Sequence, residues 1–350
     1  MFQRWYQSLA HDIGIDLGTA NTLVYVKGQG VVINEPSIVA LNQKTGQVVA
    51  IGNDAKQMVG RTPAHIVVTH PIIDGVISNF EVTEEMLAYF LRRVMRQPPR
   101  KLLRPRVIVG VPSGLTNVEI RAVRDAAIGA GAREVHIIEG PMAAAIGIRL
   151  PIQQPAGNMI VDLGGGTADI AVISLSGIVR SKNLRVAGDR LNQDIITYIR
   201  DEFKILLGEK TAEEVKMAIG SVFKPPESLE SAVRGRDLVT GLPKEVVVTD
   251  SDIREAIIVS VSRLVDAIKE VMESTPPEVL ADIMHKGIIM VGGGSLLSGV
   301  KELLEQELKI PVQLADDPLT AVVRGMGLIL EDLDAYRELL LDDEEILPPQ

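Results

Sequence analysis

Asp16 and Asp162 stand at matching points of a repeated pattern. The first copy reads Ile13-Gly14-Ile15-Asp16-Leu17-Gly18-Thr19-Ala20-Asn21-Thr22. The second reads Met159-Ile160-Val161-Asp162-Leu163-Gly164-Gly165-Gly166-Thr167-Ala168-Asp169. A carboxylate at the end of an apolar run is placed to hold a Mg²⁺ ion through its water shell. The turn that follows carries glycine, which lets backbone N–H groups come close to an anion. Gly18, Thr19, Ala20 and Asn21 in one copy, and Gly164, Gly165 and Gly166 in the other, are the candidate phosphate donors. A lone Asp-x-Gly is more often an ordinary turn. Two copies, with a third glycine turn at Gly292-Gly293-Gly294, reverse that balance and point to two similar domains clamping one nucleotide phosphate chain. Thr167 ends the second turn, where its hydroxyl either orients an attacking water or bonds its own backbone.

The elements that must carry these residues alternate between short apolar runs and helical patterns, which predicts α/β layers. Each Asp turn is followed by a second apolar run, Leu23–Val26 or Ile170–Ile173, so each copy reads as strand, tight turn, strand. Further strands are expected over 107–111, 135–138 and 288–291, and helices over 117–129, 141–148 and 252–273. The third glycine turn lies after a strand, the context in which such a turn contacts a nucleotide. Mixed short elements with turn signals mark residues 31–77 and 188–250 as insertions. Asp342-Asp343-Glu344-Glu345 opens an acidic tail that is expected to be disordered.

Composition narrows the class. The chain has 350 residues, 46% of them hydrophobic, enough for two domains with large cores. A formal charge of −10 argues against non-specific nucleic-acid binding. Without cysteine there is no disulfide framework and no thiolate metal site. No apolar run reaches the roughly 18 residues of a transmembrane helix. Met1 to Leu9 lacks the apolar core of a signal peptide, so a cytoplasmic protein is expected. That same segment places Phe2, Trp5, Tyr6 and Leu9 at helical spacing. It reads either as a terminal helix docked on its own domain or as an interfacial helix inserting aromatics into lipid. Leu102 and Leu103, framed by Arg100, Lys101 and Arg104, form a second membrane candidate; the alternative is that they belong to the core of the next strand.

The two Asp turns and the third glycine turn resemble the actin and sugar-kinase ATPase superfamily. Within it, the chain is similar to the bacterial MreB family from Asp12 to about Leu333. Agreeing stretches include Asn34-Glu35-Pro36-Ser37, Gly60-Arg61-Thr62-Pro63, Val111-Pro112-Ser113-Gly114, Pro141-Met142-Ala143-Ala144-Ala145, Gly235-Arg236-Asp237-Leu238 and Thr275-Pro276-Pro277-Glu278. The resemblance implies an actin-like ATPase fold. Two similar lobes, each a mixed sheet flanked by helices with an insertion subdomain, would hold ATP or ADP with Mg²⁺ in the central cleft. It divides the chain into a membrane-targeting segment (1–11), a first lobe (12–150) and a second lobe (151–315). The first lobe comprises IA, 12–32 and 78–150, with insertion IB, 33–77. The second comprises IIA, 151–187 and 251–315, with insertion IIB, 188–250. A helical segment (316–338) returns to IA, and the acidic tail covers 339–350.

Function follows as an expectation from the resemblance: ATP-dependent polymerisation into filaments on the inner face of the cell membrane, organising cell-wall synthesis and rod shape. The implied partners are the chain itself in paired protofilaments, the cytoplasmic membrane, and cell-shape and elongation proteins such as RodZ, with no nucleic acid. The helix starting near Asn117, with Val118, Ile120, Arg121 and Arg124, corresponds to the pairing surface, although by sequence alone it is a solvated face. Glu213 and Lys216 match the family's ribose and adenine contacts; on sequence alone they are a solvated helical pair. Gly292, Gly293 and Gly294 would pass beside the adenosine and α-phosphate. One position departs from the family. The water-activating Glu usually precedes the proline of the Ala-rich helix, and here Gly140 stands there, with Glu139 one residue earlier. Either Glu139 substitutes after a small shift, or hydrolysis is slow. The alternatives in the superfamily are a small-molecule kinase or a chaperone-type ATPase. No catalytic acid and substrate pocket for the first, and no room for a peptide-binding domain for the second, are evident in the sequence.

Overall fold

The computed structural model describes residues 12–95 and 104–341. The candidate membrane residues Phe2, Trp5, Tyr6, Leu9, Leu102 and Leu103, and the acidic run 342–345, lie outside the described residues. Among the described residues, eighteen strands and ten α-helices follow one another. In chain order they are β1 (Asp12–Leu17), β2 (Asn21–Val26), β3 (Gly30–Pro36), β4 (Val39–Asn42), β5 (Val48–Ile51), α1 (Asn53–Met58), β6 (Ile66–Thr69), β7 (Ile72–Ile73), β8 (Val76–Ile77) and α2 (Phe80–Val94). Then come β9 (Arg106–Val111), α3 (Asn117–Gly129), β10 (Glu134–Glu139) and α4 (Gly140–Gly147). The second half holds β11 (Asn158–Leu163), β12 (Ala168–Ser174), β13 (Gly177–Leu184), α5 (Gly188–Phe203), β14 (Ile205–Leu206), α6 (Glu209–Ile219), β15 (Glu230–Asp237) and β16 (Pro243–Thr249). It closes with α7 (Asp250–Glu273), α8 (Pro277–Lys286), β17 (Ile288–Val291), α9 (Val300–Leu308), β18 (Val312–Leu314) and α10 (Ala321–Glu331).

The repeat seen in the motifs extends to whole sheets. One five-stranded sheet has the order β10-β9-β1-β2-β3, the other β18-β17-β11-β12-β13. In each, the Asp strand pairs antiparallel with the strand after its turn and parallel with a later strand. Both sheets therefore combine a buried parallel half with an antiparallel half. The middles of the parallel strands are apolar, as burial on both faces requires, and their polar residues sit at or near the ends. Two small three-stranded sheets, β5-β4-β6 and β14-β15-β16, lie within the segments read as insertions.

Local signals set several boundaries. Helix α3 starts at a capping box in which Thr116 and Glu119 satisfy each other's backbone N–H groups. Helix α7 begins with the same device, built by Thr249 and Asp252, two residues before the expected start. The face expected on α3 needs correction: Ile120 and Arg124 are buried, and Arg124 donates to the Leu341 carbonyl. Only Val118, 79% exposed, and Arg121 of the four face solvent.

Each lobe has its own core, and a third apolar cluster joins them. That cluster is built from α4 and α10, with Ile108 and Ile138 of one sheet and Ile160 and Ile173 of the other. The helices touch through their backbones. A Cβ on Gly147 would overlap the Ala321 carbonyl, and one on Gly325 would overlap the Ala143 carbonyl. Any side chain at either position would push the helices, and with them the sheets, apart. Gly325→Val should therefore lower the thermal midpoint, with a stability loss of about 1–3 kcal/mol or more from overpacking. Thermal unfolding without ligand tests this, and an unchanged midpoint would remove the contact as a constraint.

Candidate functional site

Parallel strands deliver their carboxyl ends to one place, and ligands of open α/β sheets bind there. Here β1, β9 and β10 in one lobe, and β11 and β17 in the other, end at a single cavity of about 620 Å³ between the lobes. Asp16, Gly18, Thr19, Ala20, Asn21, Asp162, Gly164, Gly165, Gly166, Thr167, Glu213, Lys216, Gly292, Gly293 and Gly294 all line it. Residues predicted from four separated segments thus share one cavity. Gly140 also lines the cavity and Glu139 does not.

The first turn is braced from outside. Ser37 donates its hydroxyl to the Gly18 carbonyl at 2.6 Å and its N–H to the Ala20 carbonyl at 2.9 Å. The Asn34-Glu35-Pro36-Ser37 stretch thereby acquires a physical role. The second turn is held by α5, whose Gly188 and Asp189 N–H groups donate to the Gly164 and Gly165 carbonyls. Across the cleft the two turns touch: a Cβ on Gly165 would overlap Ala20, and one on Gly166 would overlap Thr19. The third turn nests behind them, with Gly292, at φ 80°, against the Asp162 carboxylate.

A hairpin tip reaches the same point. Strands β7 and β8 are joined by Asp74 and Gly75, both at positive φ, as a type I′ turn requires. The Gly75 N–H donates to the Thr19 hydroxyl at 3.0 Å, and the Thr167 methyl packs against Gly75. The Asp-Gly pair between two apolar dipeptides is a hairpin signal that sequence reading passed over.

The carboxylates are costly where they stand. Asp16 is half-buried, and desolvation pushes it up to about 7. Burial raises Asp162 well above the usual range, and Asp169 and Asp16 repel it further. Asp169 was present in the repeated motif without a role. It lies opposite Asp162 in the β11–β12 register and is 5% exposed. Burial raises it to about 6, against hydrogen bonds from Asn183, Ser113 and Thr167. Glu139 is raised by burial and held back by the Ser113 hydroxyl and Gly114 N–H beside it. Thr167 donates to Asp169 at 3.3 Å, not to its own backbone.

Glu213 and Lys216 both face the cleft but have separate partners. The Lys216 ammonium donates to the Gly188 carbonyl at 2.8 Å, and burial lowers its pKa. Glu213 pairs with Lys56 of α1 at 3.3 Å, a link across the cleft mouth. Lys56 lies in a different lobe, so sequence offered no signal for this pair. Among the described residues, no three Asp, Glu or His side chains converge closely enough to coordinate a metal directly. Nor is any described helix long and apolar enough to cross a membrane.

A model of the MreB/Mbl protein family matches residues 10–338. The cell shape-determining protein Mbl of Bacillus subtilis (strain 168) is 47% identical over 325 residues, 93% of this chain and 97% of the relative. The cell shape-determining protein MreB of Escherichia coli (strain K12) is 47% identical over 353 residues, 98% of this chain and 100% of the relative. The crystal structure of MreB 5 of Spiroplasma citri bound to AMPPNP superposes with a TM-score of 0.89 at 39% identity, covering 94% of this chain and 98% of that one. The ADP-bound form gives 0.88 at the same identity and coverage. A MamK double helical filament structure, with TM-score 0.79 and 21% identity over 92% of this chain and 99% of that one, shares the fold.

The charge cluster makes a prediction about the protein without ligand. Burial pushes Asp16 from the ordinary carboxylate value of 3.8 up to about 7 in the folded protein. Between those values the folded state holds a proton that the unfolded state lacks, so stability is present at low pH and lost as pH rises through about 7. Without nucleotide or divalent cation, the thermal midpoint of the parent should gain more between pH 8 and pH 5 than that of Asp16→Asn. Equal gains would show that the carboxylate carries no such penalty.

Proposed function

This chain belongs to the MreB/Mbl protein family, and from that premise we propose that it is an ATP-dependent, filament-forming bacterial actin. Its filaments organise cell-wall synthesis and maintain rod shape. One observation carries the reading: two glycine turns, each preceded by an aspartate at a strand end, face each other across one cavity. Relatives whose structures hold ADP or AMPPNP support a nucleotide as the occupant. The small-molecule kinase and chaperone alternatives draw no support from the relatives.

In this reading the turns at 18–21 and 164–166 donate backbone N–H groups to the phosphates. Gly292, Gly293 and Gly294 run beside the adenosine, and Glu213 and Lys216 approach the ribose and base. Asp16 and Asp162 hold Mg²⁺ through its water shell. All-oxygen ligands suit this hard cation, and repelling, desolvated carboxylates are stabilised by a positive charge. Mg²⁺ held there would supply positive charge beside the phosphates. The Thr167 hydroxyl faces the attacking water. Gly140 places no carboxylate beside that water, so hydrolysis is slow.

The four-subdomain division and the acidic tail at 339–350 form part of the same proposal. So does attachment of cytoplasmic filaments to the inner face of the membrane through Phe2, Trp5, Tyr6, Leu9, Leu102 and Leu103. Sheet register supports shared attachment: β1 and β9 are parallel neighbours, with Asp12 opposite Arg106. The strands that follow segments 1–11 and 96–103 therefore begin at the same end of the sheet. Exposed Val118 on α3 supports pairing of protofilaments there. Elongation proteins such as RodZ complete the set of partners.

Pelleting and electron microscopy test the central claim. The parent should form filaments with Mg-ATP, and Asp162→Ala should fold yet form none. Deleting residues 1–9 should leave filaments intact while reducing co-sedimentation with anionic vesicles. Normal Asp162→Ala filaments would remove the site assignment, and unchanged vesicle binding the membrane assignment.

Hydrolysis supplies a separate test. A Cβ on Gly140 would meet only the Val111 carbonyl at 3.4 Å, so a side chain fits. Gly140→Glu should raise phosphate release under polymerising conditions by about 100-fold or more, the usual contribution of a positioned acid or base. A parent already as fast as this variant, together with a crippled Glu139→Ala, would assign the role to Glu139.

A further inference from the structure

Asp169 is a buried carboxylate whose two oxygens do different work. Oδ1 accepts the Ser113 N–H at 3.0 Å and the Asn183 side-chain amide at 2.9 Å. Oδ2 accepts the Thr167 hydroxyl at 3.3 Å. Register explains the arrangement. On β12, Asp169 lies between Asp162 of β11 and Asn183 of β13, both directly opposite it. Ser113 comes from the other lobe, just beyond β9. Thr167 is fixed a second time, since its methyl packs against Gly75. Both Thr167 and Asp169 line the cavity.

We propose that Asp169 is a positioning residue that sets the polarity of the Thr167 hydroxyl. The inference rests on the reading that Thr167 faces the attacking water. A hydroxyl has one proton to donate and two lone pairs to accept with. The Thr167 proton is committed to Asp169, so toward the cavity its oxygen acts as an acceptor. A water there must donate a hydrogen to Thr167, which leaves a water lone pair free to face the γ-phosphorus. Bond formation from that lone pair accompanies breakage of the bond to the β–γ bridging oxygen, which departs with ADP. The water's protons pass to the phosphate product and the solvent.

The Ser113 N–H couples this polarity to the lobes. It is a backbone donor, so it cannot be reversed by a side-chain rotation. In Asp169→Asn the carbonyl must stay on the side of the Ser113 and Asn183 donors. The new NH₂ group then faces Thr167, which accepts from it and turns its own proton into the cavity. Water there becomes an acceptor, and the lone pair needed for attack is engaged. Size and shape at position 169 are almost unchanged, so nucleotide binding should survive.

Single-turnover hydrolysis and ATP affinity should be measured for the parent, Asp169→Asn, Thr167→Val, Thr167→Ser and the double variant Asp169→Asn with Thr167→Val. Asp169→Asn should hydrolyse on the order of 100-fold more slowly, with ATP affinity within about threefold of the parent. Thr167→Ser should keep most of the rate. The double variant should match Thr167→Val, because the second change removes the group through which the first acts. Multiplying losses, or a parent-like rate in Asp169→Asn, would overturn the proposal. A parent-like rate in Thr167→Val would overturn it by another route, removing the Thr167 assignment itself while leaving nucleotide binding and filament formation to stand on their own test. The Thr167 arm remains decisive even where Asp169→Asn does not fold.

Discussion

The close approach of α4 and α10 governs the geometry of the molecule. At Gly147 and Gly325 each helix meets a carbonyl of the other with no side chain between. Ala143, Ala144 and Ala145 keep the rest of the seam thin. Both helices lie between the two five-stranded sheets, so their spacing is the spacing of the lobes. Cores of this density do not absorb an added side chain without shifting. The carboxyl ends of the central strands are thereby held at the distance at which Thr19 meets Gly166 and Ala20 meets Gly165. The cavity is a consequence of that seam.

Polar links at the mouth and at the floor of the cleft differ in strength. Lys56 and Glu213 pair at the mouth with substantial solvent exposure. Such pairs contribute about 0–1 kcal/mol. At the floor, Ser113 donates to the Asp169 carboxylate in a buried setting. Hydrogen bonds to charged groups contribute roughly 1.5–3 kcal/mol, and leaving such a charge unpaired costs more. The floor contact therefore holds the lobes at their base, and the mouth pair is the easier one to open.

The cavity also concentrates charge that the fold alone does not want. Asp16, Asp162 and Asp169 share a desolvated space, and each is pushed upward chiefly by burial. Asp169 has its own donors, whereas Asp162 is raised further by both neighbours. The arrangement makes sense as a site awaiting positive charge, since a group that costs stability in the empty protein is the one whose energy changes most on binding.

Much of the framework was legible in residue order because it is set by local physics. Apolar runs on either side of the Asp16 and Asp162 turns produce the two hairpins, and glycine marks where backbones must come close. Thr116 with Glu119, and Thr249 with Asp252, start helices through bonds three residues apart. Glu139, one residue before the position that Gly140 leaves bare, does not line the cavity. The remaining decisions needed distant residues. Lys56 reaches Glu213 across 157 positions, and Asp169 meets Ser113 across 56. The burial of Ile120 and Arg124 on α3 depends on what packs over that helix. The sequence by itself determined the strand-end aspartates, the glycine turns and their duplication, because hairpin and turn geometry act over a few residues. Only the tertiary structure decided which side chains share the cavity and which way the Thr167 proton points. Those depend on two helices meeting at Gly147 and Gly325, and no local pattern records the distance between lobes.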